Sequence, residues 1–115
     1  MKRIIVKLND WVIAKDAVVA DTFFSRARGL MFRKDLSNFD GMLIAPCNSI
    51  HTVGMLFTID VVFLNKKFEV VKIIENLKPY RLTRPYFRAF QVLELAAGTL
   101  KERLQVGDQL EITHV

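Results

Sequence analysis

The chain has 115 residues, of which 51% are hydrophobic and 25% charged, a composition that excludes a disordered or fibrous chain and predicts one domain over residues 1–115. Its single cysteine, Cys47, excludes an internal disulfide, and its net charge of +5 favours anionic partners if the charge is concentrated on one face. No apolar run is long enough for a membrane span or a secretory signal. We therefore expect a cytoplasmic protein, although a processed secreted form would have the same sequence.

Short β-branched and aromatic runs separated by turn residues dominate the chain and predict a strand-rich fold. The first two runs are typical of a β-hairpin, and a further turn is predicted at Lys15-Asp16. Phe57, Phe63 and Leu95 are expected in the core. The predicted strands cover residues 3–8, 11–14, 17–20, 42–45, 57–64, 68–74, 90–95 and 109–113.

Two segments instead show a helical pattern. In residues 23–31 the apolar side chains fall on one face, after the N-cap types Asp21 and Thr22, which predicts a short amphipathic helix in the N-terminal half. Residues 99–102 fit a capping box and predict one helical turn near the C-terminus. The expected fold class is mainly β with minor α content, as a single-domain antiparallel β-sandwich or barrel-like fold.

Six short motifs follow one another along the chain. They are Asp21-Thr22 with Arg26-Ala27-Arg28-Gly29-Leu30-Met31; Gly41-Met42-Leu43; Ser49-Ile50-His51-Thr52-x-x-Met55; Ile59-Asp60-Val61-Val62-Phe63-Leu64; Leu93-Glu94-Leu95-x-x-Gly98; and Gly107-Asp108. Over about residues 16–113 the chain thus resembles the DUF192 family, also called UPF0127. The resemblance implies a compact, mainly β sandwich or barrel with a short helix near the start. It implies little about function, because the family is named for having none assigned.

The chain departs from the family it resembles in two respects. Ile50-His51 stands where many members carry a Phe-Trp pair, and the signal peptide of many members is absent. The resemblance therefore implies no periplasmic role for this chain.

The most concentrated set of reactive side chains lies in residues 46–55, which we call the central loop. A loop positioned by a rigid sheet is a common place for a binding site. The leading hypothesis is a non-enzymatic accessory domain that binds a small ligand or a protein through this loop and Asp60. The candidate ligand-binding residues are Cys47, Asn48, Ser49, His51, Thr52 and Asp60.

An enzymatic alternative uses the same loop. A Cys47 thiolate activated by His51 would make the protein a hydrolase or transferase. The structural alternative is that Cys47 is a small buried hydrophobe and that His51 and Ser49 satisfy loop backbone groups. Catalytic Cys and His residues usually come from distant segments, so the interpretation leans away from an enzyme. The candidate metal ligands are Cys47, His51, Asp60 and the penultimate residue His114. Their spacing matches no standard zinc pattern, and chain ends tend to be mobile, so neither a metal nor a cofactor is predicted.

Two carboxylates interrupt otherwise apolar strands and must be exposed, paired or hydrogen-bonded. Asp60 either accepts hydrogen bonds from the central loop or pairs with Arg26 or Arg28. The functional alternative is a pocket carboxylate that binds a cation or acts as a base. Glu94 poses the same question and receives the same structural interpretation.

Residues 78–88, which we call the basic-aromatic loop, combine cations with three aromatic side chains. This composition binds phosphates and stacks bases. No nucleic-acid-binding motif accompanies it, and the ordinary interpretation is a solvated loop held to the fold by its aromatic residues. Binding of an anionic polymer such as nucleic acid is therefore the second alternative. Its candidate residues are Lys78, Arg81, Arg84 and Arg88.

Overall fold

A computed structural model of the protein describes residues 2–22 and 38–115. The described residues form the strands β1 (Arg3–Leu8), β2 (Trp11–Ala20), β3 (Gly41–Ile44), β4 (Ile59–Leu64), β5 (Val70–Leu77), β6 (Gln91–Ala96) and β7 (Glu111–His114). The mainly β prediction is thus confirmed, whereas the helix predicted at residues 23–31 lies outside the described residues. None of the described segments is a helix long and apolar enough to cross a membrane.

All seven strands in the described part of the chain belong to one sheet, in the order β5-β4-β6-β3-β2-β1-β7. The prediction of an antiparallel β-sandwich or barrel-like fold is not confirmed, because the strands of the described residues form one sheet that is not closed. One pair, β2 with β3, is parallel, and the others are antiparallel. A parallel pair needs a connection of a dozen or more residues, which the chain between β2 and β3 provides.

Both faces of the sheet are covered by apolar side chains. One face includes Leu43, Val62 and Leu93, and the opposite face includes Met42, Ile44, Ile59, Val61, Phe63 and Val92. The central strands are therefore buried on both sides, which explains why their sequences are nearly continuous apolar runs. Phe63 and Leu95 are fully buried as predicted, whereas Phe57 is only half-buried.

The turn predicted at Lys15-Asp16 is wrong, because β2 continues through these residues. The pairing of β1 with β2 shifts register between Ile4 and Val6, which places a β-bulge opposite them. The Asp40 carboxylate accepts hydrogen bonds from the backbone N–H groups of Lys15 at 2.8 Å and Asp16 at 2.9 Å. Lys15 and Asp16, which would otherwise favour a turn, are thus accommodated within β2 by a β-bulge whose backbone N–H groups bind the Asp40 carboxylate.

The helical turn predicted after Thr99 is also wrong. Lys101 and Glu102 have φ angles of 49° and 60°, in the left-handed region that a right-handed helix excludes. The Thr99 hydroxyl donates to a backbone carbonyl three residues earlier, at 2.6 Å, rather than capping the N–H of Glu102. The N–H of Leu100 donates instead to Asp60 at 3.1 Å, so a long-range bond replaces the expected local one.

Candidate functional site

Asp60 lies within β4, on the face of the sheet opposite the central loop. The side chain is fully buried, and its two oxygens accept the backbone N–H groups of Asn76 at 3.0 Å and Leu100 at 3.1 Å. Asp60 thus accepts hydrogen bonds as expected, but from β5 and the segment after β6 rather than from the central loop. The alternative partners Arg26 and Arg28 lie outside the described residues. Asp60 therefore links β4 to β5 and to the segment after β6 through buried hydrogen bonds.

Glu94 occupies the other face of the sheet, where β6 lies between β3 and β4. Its direct cross-strand neighbours are Met42 and Val61, both apolar, and it is 3% exposed. Among the described residues no hydrogen bond or ion pair reaches its carboxyl group. Burial without a compensating donor raises the pKa of Glu94 from its ordinary value of 4.5 to about 7.

The central loop and the basic-aromatic loop are hydrogen-bonded to each other and run antiparallel, a pairing that the sequence did not reveal. Backbone N–H groups of Thr52, Thr83 and Tyr86 donate to the carbonyls of Arg81, Ile50 and Asn48 at 2.8, 2.9 and 2.9 Å, respectively. His51 and Leu82 form an isolated bridge between the two loops. We call the paired loops the loop layer. It covers the sheet face that carries Phe63, because Ile50 and Met55 pack into that apolar cluster.

Two buried threonine hydroxyls reinforce the loop layer from inside. The Thr52 hydroxyl accepts the N–H of Arg81 at 2.8 Å and donates to the carbonyl of Lys78 at 2.7 Å. The Thr83 hydroxyl accepts the N–H of Ile50 at 2.9 Å. Thr52 is fully buried, so its polar group supports the fold of the loops.

Cys47 and His51 are not brought together as the hydrolase hypothesis requires. The Cys47 thiol is half-buried and donates to the carbonyl of Ser49 at 3.1 Å. The His51 side chain is exposed, and in the described part of the chain no hydrogen bond joins it to Cys47.

Three clefts lie side by side along residues 84–90, where the loop layer meets the β4–β5 hairpin. The first has a volume of about 340 Å³ and includes Lys72 of β5 in its wall. The second, of about 430 Å³, is bounded by the β4–β5 turn, and the third, of about 270 Å³, by Cys47 and Asn48. Phe87 and Arg88 line both the first and second clefts, so the clefts form one continuous surface.

The first two clefts are strongly basic. Their described walls carry the cations Lys66, Lys67, Lys72, Arg84 and Arg88. The acid in these walls is Glu69, whose carboxylate already accepts a hydrogen bond from the side-chain amide of Asn65 at 2.8 Å. These five cations, together with Phe87 and Phe90, are called the basic face.

Only half of the predicted cationic set belongs to the basic face. Arg84 and Arg88 line its clefts, whereas Lys78 and Arg81 are exposed at the other end of the basic-aromatic loop and line none of these three clefts. The lysines from the β4–β5 hairpin were missed, because nothing local in the sequence shows that this hairpin lies beside residues 84–90. The N–H of Phe90 fixes that proximity by donating to the carbonyl of Leu64 at 2.8 Å.

The aromatic residues of this segment differ in exposure. Tyr86 packs against the buried ring of Phe63, with ring centroids 4.7 Å apart, and so anchors the segment. Phe87 is 85% exposed and Phe90 37% exposed. The Lys66 ammonium lies 5.0 Å from the centroid of the Phe90 ring, and the Arg84 guanidinium lies 4.8 Å from that of Tyr86. Two exposed rings and several cations therefore lie on one surface, which buried contacts such as that of Tyr86 hold in place.

Comparison with known proteins gives the family. The DUF192 family, described as "Uncharacterized ACR", matches residues 4–112. The chain belongs to this family. It is similar to the UPF0127 protein PH1112 of Pyrococcus horikoshii, with 39% identity over 100 residues, covering 81% of this chain and 84% of that protein. The resemblance inferred from the six motifs is therefore confirmed.

Two crystal structures share the fold. A protein of unknown function from Novosphingobium aromaticivorans is similar with a TM-score of 0.79 and 23% identity, covering 95% of this chain and 83% of that one. A Sinorhizobium meliloti protein, provisionally described as a transcription regulator, is similar with a TM-score of 0.74 and 25% identity, covering 96% of this chain and 92% of that one. The family assignment brings no established activity with it.

Proposed function

We propose that this protein is a non-catalytic binding domain that holds an anionic partner on its basic face. The observation that carries the proposal is the group of five cations around two adjoining clefts. None of the five forms an ion pair with another described residue, and the salt bridge found among the described residues joins Arg3 to Asp16. Their charges are thus available to a partner.

The proposal keeps the class of the leading hypothesis but changes the location of the site. Asp60 lies on the opposite face with both carboxylate oxygens bonded to backbone N–H groups. The Thr52 hydroxyl is likewise used inside the loop layer. The part of the central loop that adjoins the basic face is the pair Cys47 and Asn48, which line the third cleft.

Charge and shape support an anionic partner at this surface. The cations of the basic face repel one another because they lie close together. Clefts with walls of low dielectric constant concentrate the electrostatic potential of such charges. An anion in either cleft would relieve that repulsion. Because the cations are mostly exposed, salt would screen the attraction over a Debye length of about 10 Å at 0.1 M.

Titration with fluorescein-labelled heparin, followed by anisotropy over a range of salt concentrations, tests the proposal. The test variant is Arg88→Gln, since Arg88 lines both basic clefts. We expect weaker binding at low salt and a salt slope smaller by about 1, as loss of one ionic contact produces. The matched control is Arg81→Gln, which removes an exposed arginine from the same loop layer and leaves the clefts intact.

Two results would contradict the proposal. One is the absence of binding by the wild type at about 50 mM salt up to roughly 100 µM protein, the weak end of non-specific polyanion binding. The other is an equal loss in Arg88→Gln and Arg81→Gln, which would indicate a response to net charge rather than to the basic face.

A further inference from the structure

Resting on the proposed function, we infer that the anionic partner is a single-stranded nucleic acid whose bases stack on Phe87 and Phe90 while its phosphates contact the surrounding cations. This inference adds a role for the aromatic side chains, which a purely electrostatic partner would not need. Phe87 is 85% exposed and forms part of the wall of both basic clefts. A planar group in either cleft would therefore contact Phe87.

The arrangement of rings and charges matches the two parts of a nucleotide. Stacking surfaces for bases and cations for the backbone are the combination by which proteins hold single strands without reading their sequence. On the basic face, Lys66 and Lys67 share the second cleft with Phe87 and Phe90. Lys72 and Arg84 share the first cleft with Phe87. Each cleft thus offers both a ring and at least two cations.

The shape of the surface favours a single strand over a duplex or a membrane. A duplex hides the faces of its bases, so exposed rings beside the phosphate contacts would have nothing to stack on. A membrane surface favours apolar side chains that project together towards the lipid, but Leu82, which is 80% exposed, does not line either basic cleft. The first and second clefts, of about 340 and 430 Å³, are at the small end of the volumes of small-molecule binding sites.

The inference is tested with labelled oligothymidylate and oligouridylate of about twelve nucleotides, within the range that one small domain covers. The variant is Phe87→Ala, and the control is Leu82→Ala, which removes a similarly exposed apolar side chain outside the basic clefts. We expect Phe87→Ala to weaken oligonucleotide binding by about 5- to 100-fold, the effect of losing one stacked base. Its salt slope and its heparin affinity should be unchanged, since no charge is removed.

The remaining arms distinguish the alternatives. Thermal unfolding of both variants verifies folding, and the exposure of both side chains predicts midpoints close to that of the wild type. Unchanged oligonucleotide affinity in Phe87→Ala, or tighter binding to a duplex or to phosphatidylglycerol vesicles than to the single strand, would overturn the inference. Heparin binding that still depends on Arg88 would in that case leave the proposed function standing. Failure of the wild type to bind heparin and oligonucleotides alike would overturn both.

Discussion

Replacement of Glu94 by glutamine would measure how much the buried carboxyl group lowers the free energy of unfolding as the pH rises. Glu94 is 3% exposed and has no hydrogen-bond partner among the described residues. Burial raises its pKa from 4.5 to about 7. Below the unfolded pKa both folded and unfolded chains carry the proton, so Glu94 then adds no pH-dependent term to stability. As the pH rises the unfolded chain ionises first, and stability falls until the folded pKa is passed.

The size of this fall follows from the two pKa values. At about 1.4 kcal/mol per pH unit, the rise from 4.5 to about 7 corresponds to about 3 kcal/mol of stability lost above pH 7. Glu94→Gln cannot ionise and removes this loss. Near pH 4 the protonated carboxyl group of the wild type is a buried neutral group without a hydrogen-bond partner, as the amide of the variant would be, so the two proteins should have similar stability there. As the pH rises the variant should become the more stable of the two, by about 3 kcal/mol above pH 7.

The assay is urea unfolding of both proteins at several pH values between about 4 and 8. At each pH, the free energy of unfolding of the wild type is subtracted from that of the variant, so that contributions from other titrating groups cancel. The prediction concerns how this difference changes with pH. Glu111→Gln, at an exposed position of β7, is the matched control for the exchange of a glutamate for a glutamine. A difference between Glu94→Gln and the wild type that does not change with pH would refute the reasoning and indicate that the carboxyl group has a donor in the folded state.

Two further predictions concern the core. Asp60→Asn should lower the free energy of unfolding by about 1 to 3 kcal/mol, because hydrogen bonds from two backbone N–H groups to the carboxylate are weakened. The measurement is urea unfolding near pH 7, and an unchanged value would contradict a stabilising role for these bonds. Phe63→Ala should lower the free energy of unfolding by about 3 to 5 kcal/mol and speed amide hydrogen exchange in residues 84–90, because the Tyr86 ring loses its contact. A loss below about 1 kcal/mol would indicate an incorrect strand register.

The sequence predicted the strands well where burial determines the pattern. The β4 and β6 runs are mostly apolar because both of their faces are covered. The donors to Asp60 could not be predicted, because they come from residues 76 and 100. The capping box after Thr99 failed for the same reason, since the local pattern contains no information about a distant carboxylate that binds the N–H of Leu100.

The candidate site was only partly predictable from the sequence. The central loop and the basic-aromatic loop were each identified by composition, but their pairing depends on hydrogen bonds such as that from Thr52 to Arg81, which have no local signature. The turn at Lys66 and Lys67 was predicted as a connection between strands. Its contribution to the basic face depends on packing beside Phe90, a contact between segments well separated along the chain.

Backbone amide chemical-shift mapping with an unlabelled oligothymidylate of about twelve nucleotides tests most directly whether the basic face is the binding surface. The account predicts that perturbations concentrate at residues 65–72 and 84–90, which form the clefts, and leave residues 78–82 nearly unchanged. Perturbations confined to residues 78–82 or to the opposite face of the sheet, or none at saturating oligonucleotide, would contradict it.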